Sequence, residues 1–160
     1  MQLQLTRGVM ILGLFLLLVE VAMSAEDAKE VALPELPKGA GKVDKDATKK
    51  FTATDSGLKY RVLRKGTGAK PKATDTVKVN YHGWLDGGKV FDSSYKQAEP
   101  ISFPLNGVIK GWTEGMQLVG EGGMIELEIP SGLGYGDRGS PGAIPPKATL
   151  HFLVELLKVE

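Results

Sequence analysis

The chain has 160 residues, enough for one domain and a tail. Apolar residues make up 42% of it, charged residues 24%, and the net charge of +1 gives no indication of a nucleic-acid-binding protein. Cysteine is absent, which excludes disulfides, a thiol nucleophile and a lipid-modified cysteine. The two histidines, His82 and His151, have no third ligand at a useful spacing, so the sequence predicts neither a metal site nor a cofactor.

The N-terminus has the pattern of a secretion signal. Arg7 precedes the apolar run Val9–Val19, and Ala22–Ser24 places small residues where a signal peptidase cleaves. Because a transmembrane helix needs about 20 apolar residues and Glu20 interrupts this run, residues 1–24 are predicted to be a signal peptide. A retained membrane anchor is the alternative. The mature protein is therefore expected outside the cytoplasm, in the periplasm if the source is bacterial, with membrane contact only through this transient segment.

Residues 25–54 are polar and rich in lysine, and they contain two prolines and two glycines. They show no sustained hydrophobic period, so the sequence predicts a flexible linker with solvated lysines, followed by a domain over 55–160.

Within 55–160, apolar and polar residues alternate in several segments, and a turn at Asp86–Gly88 connects two of them. The predicted strands are Leu58–Arg64, Val77–Leu85, Val90–Asp92, Met124–Pro130 and Thr149–Val159. A period of two with one polar face indicates an antiparallel sheet that is covered on one side.

One segment, Val108–Met116, has the helical period, with Val108, Ile109, Trp112 and Met116 on one side. Short strands, one short helix and many glycines predict an α+β fold. Its sheet is an antiparallel half-barrel of five to six strands wrapped around that helix.

Two motifs are weak when taken alone. Gly134–Gly139 matches G-x-G-x-x-G, but a dinucleotide site requires a helix directly after it, which Pro141, Pro145 and Pro146 prevent. Asp92 by itself is typical of a turn. The absence of a G-x-S-x-G motif or a Ser-His-acid arrangement disfavours a hydrolase.

Four motifs, in order and over about two-thirds of the chain, change this interpretation: VNYHGWLDGGKVFDSS, GVIKGWTEGM, SGLGYG and PGAIPPKATLHFLVELLKVE. Residues 57–160 closely resemble the FK506-binding-protein (FKBP) family of peptidyl-prolyl isomerases. The preceding DSGLKYRVLRKGTG resembles secreted bacterial members such as macrophage infectivity potentiator proteins. The resemblance implies a cofactor-free isomerase of X-Pro bonds in exported proteins. Proline-containing polypeptides would be its substrates, and macrolides such as FK506 and rapamycin its inhibitors.

The resemblance also implies which residues form the site. The catalytic set would be Tyr81, Phe91, Asp92, Trp112, Tyr135 and Phe152. The further substrate contacts would be Phe103, Val108, Ile109, Ile144, Ile101 and Ala143.

In the family, Trp112 would be the floor under a proline ring, and aromatic side chains would be the walls. The Ile109 N–H and the Tyr135 hydroxyl would bind ligand carbonyls, and Asp92 would orient Tyr135 or nearby polar groups. Ile101, Ser140 and Ala143 depart from the best-known pattern, which implies a thinner rim. The alternative function is a non-catalytic peptide-binding or chaperone module that uses the same groove.

Overall fold

A computed structural model describes residues 29–160, so the predicted signal peptide and the first residues after it lie outside the described part. None of the helices in the described part combines the length and the apolar character that crossing a membrane requires.

The described chain forms one antiparallel sheet and one short α-helix. The strands are β1 (Thr52–Ala53), β2 (Lys59–Arg64), β3 (Thr76–Leu85), β4 (Val90–Ser93), β5 (Ile101–Pro104), β6 (Met124–Ile129) and β7 (Leu150–Val159), and the helix is α1 (Lys110–Gly115). The sheet order is β1-β2-β6-β7-β3-β4, and β5 pairs with the first half of β3. The five predicted strands and the α+β half-barrel class are confirmed.

Two strands have no sequence signal. β1 has two residues, and β5 has four and includes Pro104, so neither is long enough to show a period. With them the sheet has seven strands, which is more than the five to six predicted.

The helix is shorter than predicted because Val108 and Ile109 are extended and the chain after Gly115 tightens into a 3₁₀ turn. Gly111 and Gly115 allow α1 to lie close to β6. A β-carbon at Gly111 would lie 2.5 Å from a side-chain carbon of Ile129. The helix therefore rests on the concave face of the sheet, where the main apolar core lies.

The convex face is covered by residues 29–51, which we call the strap. Leu63, Met124 and Leu153 point away from the main core and are fully buried. Leu33 and Val43 of the strap pack against them. The structure thus places a packed cover where the sequence predicts a flexible linker, and the sheet is covered on both sides.

A buried ion pair fastens the strap. Arg61 of β2 is 2% exposed and binds Glu126 of β6, with 2.6 Å between Nε and Oε2. The same guanidinium donates to the carbonyl oxygens of Val31 (2.7 Å), Ala32 (2.8 Å) and Lys49 (3.2 Å). Backbone carbonyls of the strap, which has no regular structure of its own, thereby gain buried donors.

A second fastening point is Glu155 of β7. Its carboxylate accepts hydrogen bonds from the Gly41 N–H (3.0 Å), the Tyr95 hydroxyl (2.5 Å) and Arg64 (2.7 Å). Burial alone would raise the pKa of Glu155, but these hydrogen bonds outweigh it and hold the pKa below its usual value.

Candidate active site

A cleft of about 470 Å³ opens on the concave face, above α1. Its wall residues come from β3, β4, β5, β7, the helix start and the loop after β6. They are Tyr81, Phe91, Asp92, Phe103, Gly107, Val108, Ile109, Trp112, Tyr135 and Phe152. Clefts of this volume with mostly apolar walls and few polar groups are typical of small-ligand sites.

Trp112 forms the floor. It is 4% exposed, and its ring is met edge-on by Tyr81 at 5.4 Å, Phe103 at 5.6 Å and Phe152 at 5.3 Å between centroids. Edge-to-face packing of this kind holds aromatic rings in fixed orientations. The buried indole Nε1 has no hydrogen-bond partner among residues 29–160.

Phe91 completes the wall by meeting Phe152 edge-on at 5.4 Å. The two rings reach the same side of the cleft because Phe91 lies on β4 and Phe152 on β7, and both strands pair with β3. The long strand β3 thus brings together residues that are far apart in sequence.

Asp92 binds Tyr81. The Tyr81 hydroxyl donates to Asp92 Oδ2 at 2.6 Å, and the Ser93 N–H donates to Oδ1 at 2.8 Å. Burial and then the hydrogen bond to Asp92 raise the pKa of Tyr81, so this hydroxyl stays protonated. The carboxylate therefore orients Tyr81. Of the two predicted partners of Asp92, Tyr135 or a nearby polar group, the structure shows the second.

Two polar groups lie at the rim. Ile109 precedes α1 in an extended conformation (φ −58°, ψ 148°), and in the part of the chain that the structure describes its N–H donates no hydrogen bond. Tyr135 is 44% exposed, on the loop after β6. Both groups can donate to a ligand that fills the cleft.

Three predicted substrate contacts do not line the cleft. Ile144 is buried in the main core, and its N–H binds the Ser140 carbonyl. Ile101 packs against the same core from β5, and Ala143 is exposed on a loop. Conversely, Gly107 lines the cleft although the sequence does not predict it. Glycine has no side chain, so its sequence position gives no sign of a binding role.

The two histidines have other partners. His151 Nε2 lies 2.7 Å from Asp86 Oδ1, and His82 Nδ1 lies 3.0 Å from Ser93 Oγ. Within residues 29–160, no three potential metal-ligating side chains come together.

Comparison with known proteins agrees with this geometry. The model of a family described as FKBP-type peptidyl-prolyl cis-trans isomerase matches residues 67–157. The FKBP-type isomerase FkpA of Escherichia coli K12 is 49% identical over 143 residues, 89% of this chain and 52% of that protein. The isomerase Mip of Coxiella burnetii is 47% identical over 105 residues, 66% of this chain and 46% of that protein. The chain spans about half the length of these relatives.

Solved structures give the same result. The crystal structure of FkpA from Escherichia coli matches with a TM-score of 0.67 and 52% identity, over 69% of this chain and 51% of that one. The crystal structure of AtFKBP13 matches with a TM-score of 0.65 and 35% identity, over 69% of this chain and 99% of that one. Since the family model matches more than half of the chain and includes every residue that lines the cleft, the chain belongs to the FKBP-type peptidyl-prolyl cis-trans isomerase family.

Proposed function

We propose that the chain is a peptidyl-prolyl cis-trans isomerase that acts on proline-containing polypeptides. The observation that carries the proposal is the cleft itself, in which an aromatic floor at Trp112 and aromatic walls surround a space with few polar groups. Its shape and chemistry suit a proline ring and the peptide bond before it.

The reaction requires no bond to be made. Rotation about an X-Pro amide is slow, over tens to hundreds of seconds, because amide resonance opposes it with a barrier of about 18–20 kcal/mol. A twisted amide has lost this resonance and much of its polarity. An apolar cleft therefore binds the twisted amide better than the planar one, and such differential binding lowers the barrier.

The rim groups would hold the substrate during rotation. In this proposal the Ile109 N–H and the Tyr135 hydroxyl donate to carbonyls that flank the proline. Asp92 acts as a positioning residue, since it fixes the Tyr81 hydroxyl and thereby the Tyr81 ring beside Trp112. No side chain in this scheme accepts a proton from the substrate.

The test is an X-Pro isomerisation assay on the purified chain with Trp112→Ala and, as the matched control, Trp84→Ala. Trp84 is the other tryptophan and lies on the convex face, where it stacks on His151. We expect acceleration by the wild type and by Trp84→Ala, and a rate close to that of buffer for folded Trp112→Ala. A folded wild type that leaves the rate unchanged for several residues before proline would refute the proposal.

A non-catalytic binding module is the second candidate, since the apolar walls of the same cleft would bind a peptide whether or not rotation is accelerated. We also propose that FK506 and rapamycin inhibit this protein. If the chain is only a binding module, FK506 should compete with peptide for the cleft, but the chain should not accelerate isomerisation. Titration of FK506 alongside the assay therefore separates the two functions.

We propose further that the protein is exported and that residues 1–24 are removed as a signal peptide. The support is the apolar run after Arg7 and the small residues at 22–24. Mass spectrometry of the protein from its native host should show an N-terminus near Ala25 or Glu26. An intact Met1 in the membrane fraction would show that the segment is a retained anchor.

A further inference from the structure

Gly83 lies in the second half of β3, between two buried residues of the same face, Tyr81 and Leu85. It is paired with Asp92 on one side and with Phe152 on the other. Its φ is not positive, so the backbone conformation does not call for glycine. A glycine inside a strand weakens it, and it often marks a place where something must approach the backbone closely.

Two rings of the cleft occupy the space that a side chain would take. A β-carbon on Gly83 would lie 2.7 Å from Cζ of Phe91, 2.8 Å from Cε1 of Phe152 and 3.0 Å from Cε2 of Phe91. All three distances are too short for a carbon–carbon contact, which is optimal at about 3.5–4.0 Å. Both rings therefore rest directly on the bare backbone of β3.

A side chain at this position would push the rings in one direction. The backbone of β3 lies behind the rings, so Phe91 and Phe152 must shift away from β3, and both of them line the cleft. Phe152 also contacts Trp112 edge-on at 5.3 Å, so a displaced Phe152 would change its packing against the floor.

We infer that Gly83 determines the width of the cleft and thereby the size of the group that it accepts. Gly83 is a positioning residue that acts through Phe91 and Phe152. Its effect on substrate size rests on the proposed function, whereas its effect on the width of the cleft does not. The residue that limits the size of the bound group thus lies in β3, behind the side chains that contact the substrate.

The experiment compares Gly83→Ala with Gly132→Ala. Gly132 is the matched control because its φ is not positive and no atom lies within 4 Å of an added β-carbon. In Gly83→Ala we expect FK506 to bind about tenfold more weakly or worse, because the crowded rings must shift within the walls of the site that the ligand fills. Peptides with a bulky residue before proline should lose more kcat/KM than those with alanine. Gly132→Ala should match the wild type.

A readout independent of activity is the NMR spectrum of the free protein. The ring protons of Phe91 and Phe152 and the Nε1 proton of Trp112 should shift in Gly83→Ala and not in Gly132→Ala. These shifts test the role of Gly83 even if the wild type accelerates no isomerisation. Failure of the proposed function can therefore be distinguished from failure of this inference. Unchanged shifts and unchanged FK506 affinity in a folded Gly83→Ala would overturn the inference.

The variant Gly83→Ala/Phe91→Leu covers the case in which Gly83→Ala does not fold. Removing one of the two rings should make the added methyl group less harmful, so the effects of the two substitutions should be non-additive. If the double variant is no more stable than additivity predicts, glycine is required at this position by the strand and not by the contact with the rings. The inference is then wrong.

Discussion

The concave and convex faces of this sheet are both buried, but by different chemistry. On the concave face, apolar side chains alternate along the strands, and aromatic rings close the core around a cleft. On the convex face, the alternate positions include Arg61, Glu126 and Glu155, which are buried under the strap. The difference teaches that a charged position in a strand does not by itself indicate a solvent-exposed face.

The same contrast appears between two neighbouring ion pairs on β2 and β6. Arg61–Glu126 and Lys59–Glu128 join directly opposite residues, two positions apart. The side chain of Lys59 is 51% exposed, and that of Arg61 is 1% exposed. The two pairs lie on the same two strands, and Arg61 binds carbonyl oxygens of the strap, so comparing the pairs tests the effect of the strap.

The largest effect should come from removing residues 1–51. This deletion would expose Leu63, Met124 and Leu153 and leave Arg61 without the strap carbonyls that it binds. We expect the remaining chain to lose its cooperative unfolding transition in urea. If residues 52–160 unfold with the midpoint of the full chain, the strap is a linker after all and the two faces differ less than the structure indicates.

Arg61→Ala should destabilise the fold by about 3–5 kcal/mol, because it leaves the Glu126 carboxylate buried and unpaired. The matched control, Lys59→Ala, should cost about 0–1 kcal/mol, since its pair is solvent-exposed. Urea denaturation of both variants provides the comparison. Equal costs for the two would mean that the strap does not shield Arg61 from water.

On the concave face, Phe152→Ala should lower isomerase activity more than Asp92→Asn. The aromatic ring forms part of the wall and contacts Trp112, whereas Asp92 acts through Tyr81. Truncating a buried phenylalanine can also cost about 3–5 kcal/mol of stability, so unfolding must be followed alongside. If Asp92→Asn abolishes turnover while the fold and FK506 binding persist, Asp92 has a direct catalytic role.

The convex face should also determine part of the acid sensitivity. The folded-state pKa of Glu155 lies below its usual value, so its contribution to stability is present above the unfolded pKa and is lost as pH falls through the folded one. Glu155→Gln should therefore be less stable at neutral pH and lose less stability on acidification. Parallel slopes of unfolding free energy against pH in the two proteins would contradict this assignment.

The smallest effect should be at the rim. Ala143 is exposed and does not line the cleft, so Ala143→Ile adds apolar surface only at the edge of a large ligand. At about 25 cal/mol per Å², a gain of a few tens of Å² would strengthen FK506 binding by roughly a factor of a few, up to tenfold. Calorimetric titration measures this. An unchanged affinity would show that the rim at Ala143 does not limit binding.

Much of the concave face was predictable from the sequence. The alternation in β3, β6 and β7 predicted which residues point to the core, and the aromatic residues in the family motifs predicted the cleft. The sequence does not identify the partner of Asp92, since Tyr81 lies on another strand and only the pairing of β3 with β4 brings the two together. Gly83 likewise shows its role only through the rings that lie on it.

By itself, the sequence determined five of the seven strands and the short helix, because these depend on residue type and local period, and its four motifs determined the family. Only the tertiary structure decided that the strap covers the convex face, since its lysines, prolines and glycines have no period of their own. Arg61 is buried because its partners come from Val31, Lys49 and Glu126, which are distant in the chain. A charge can be buried only where such partners converge, and their convergence is a property of the fold.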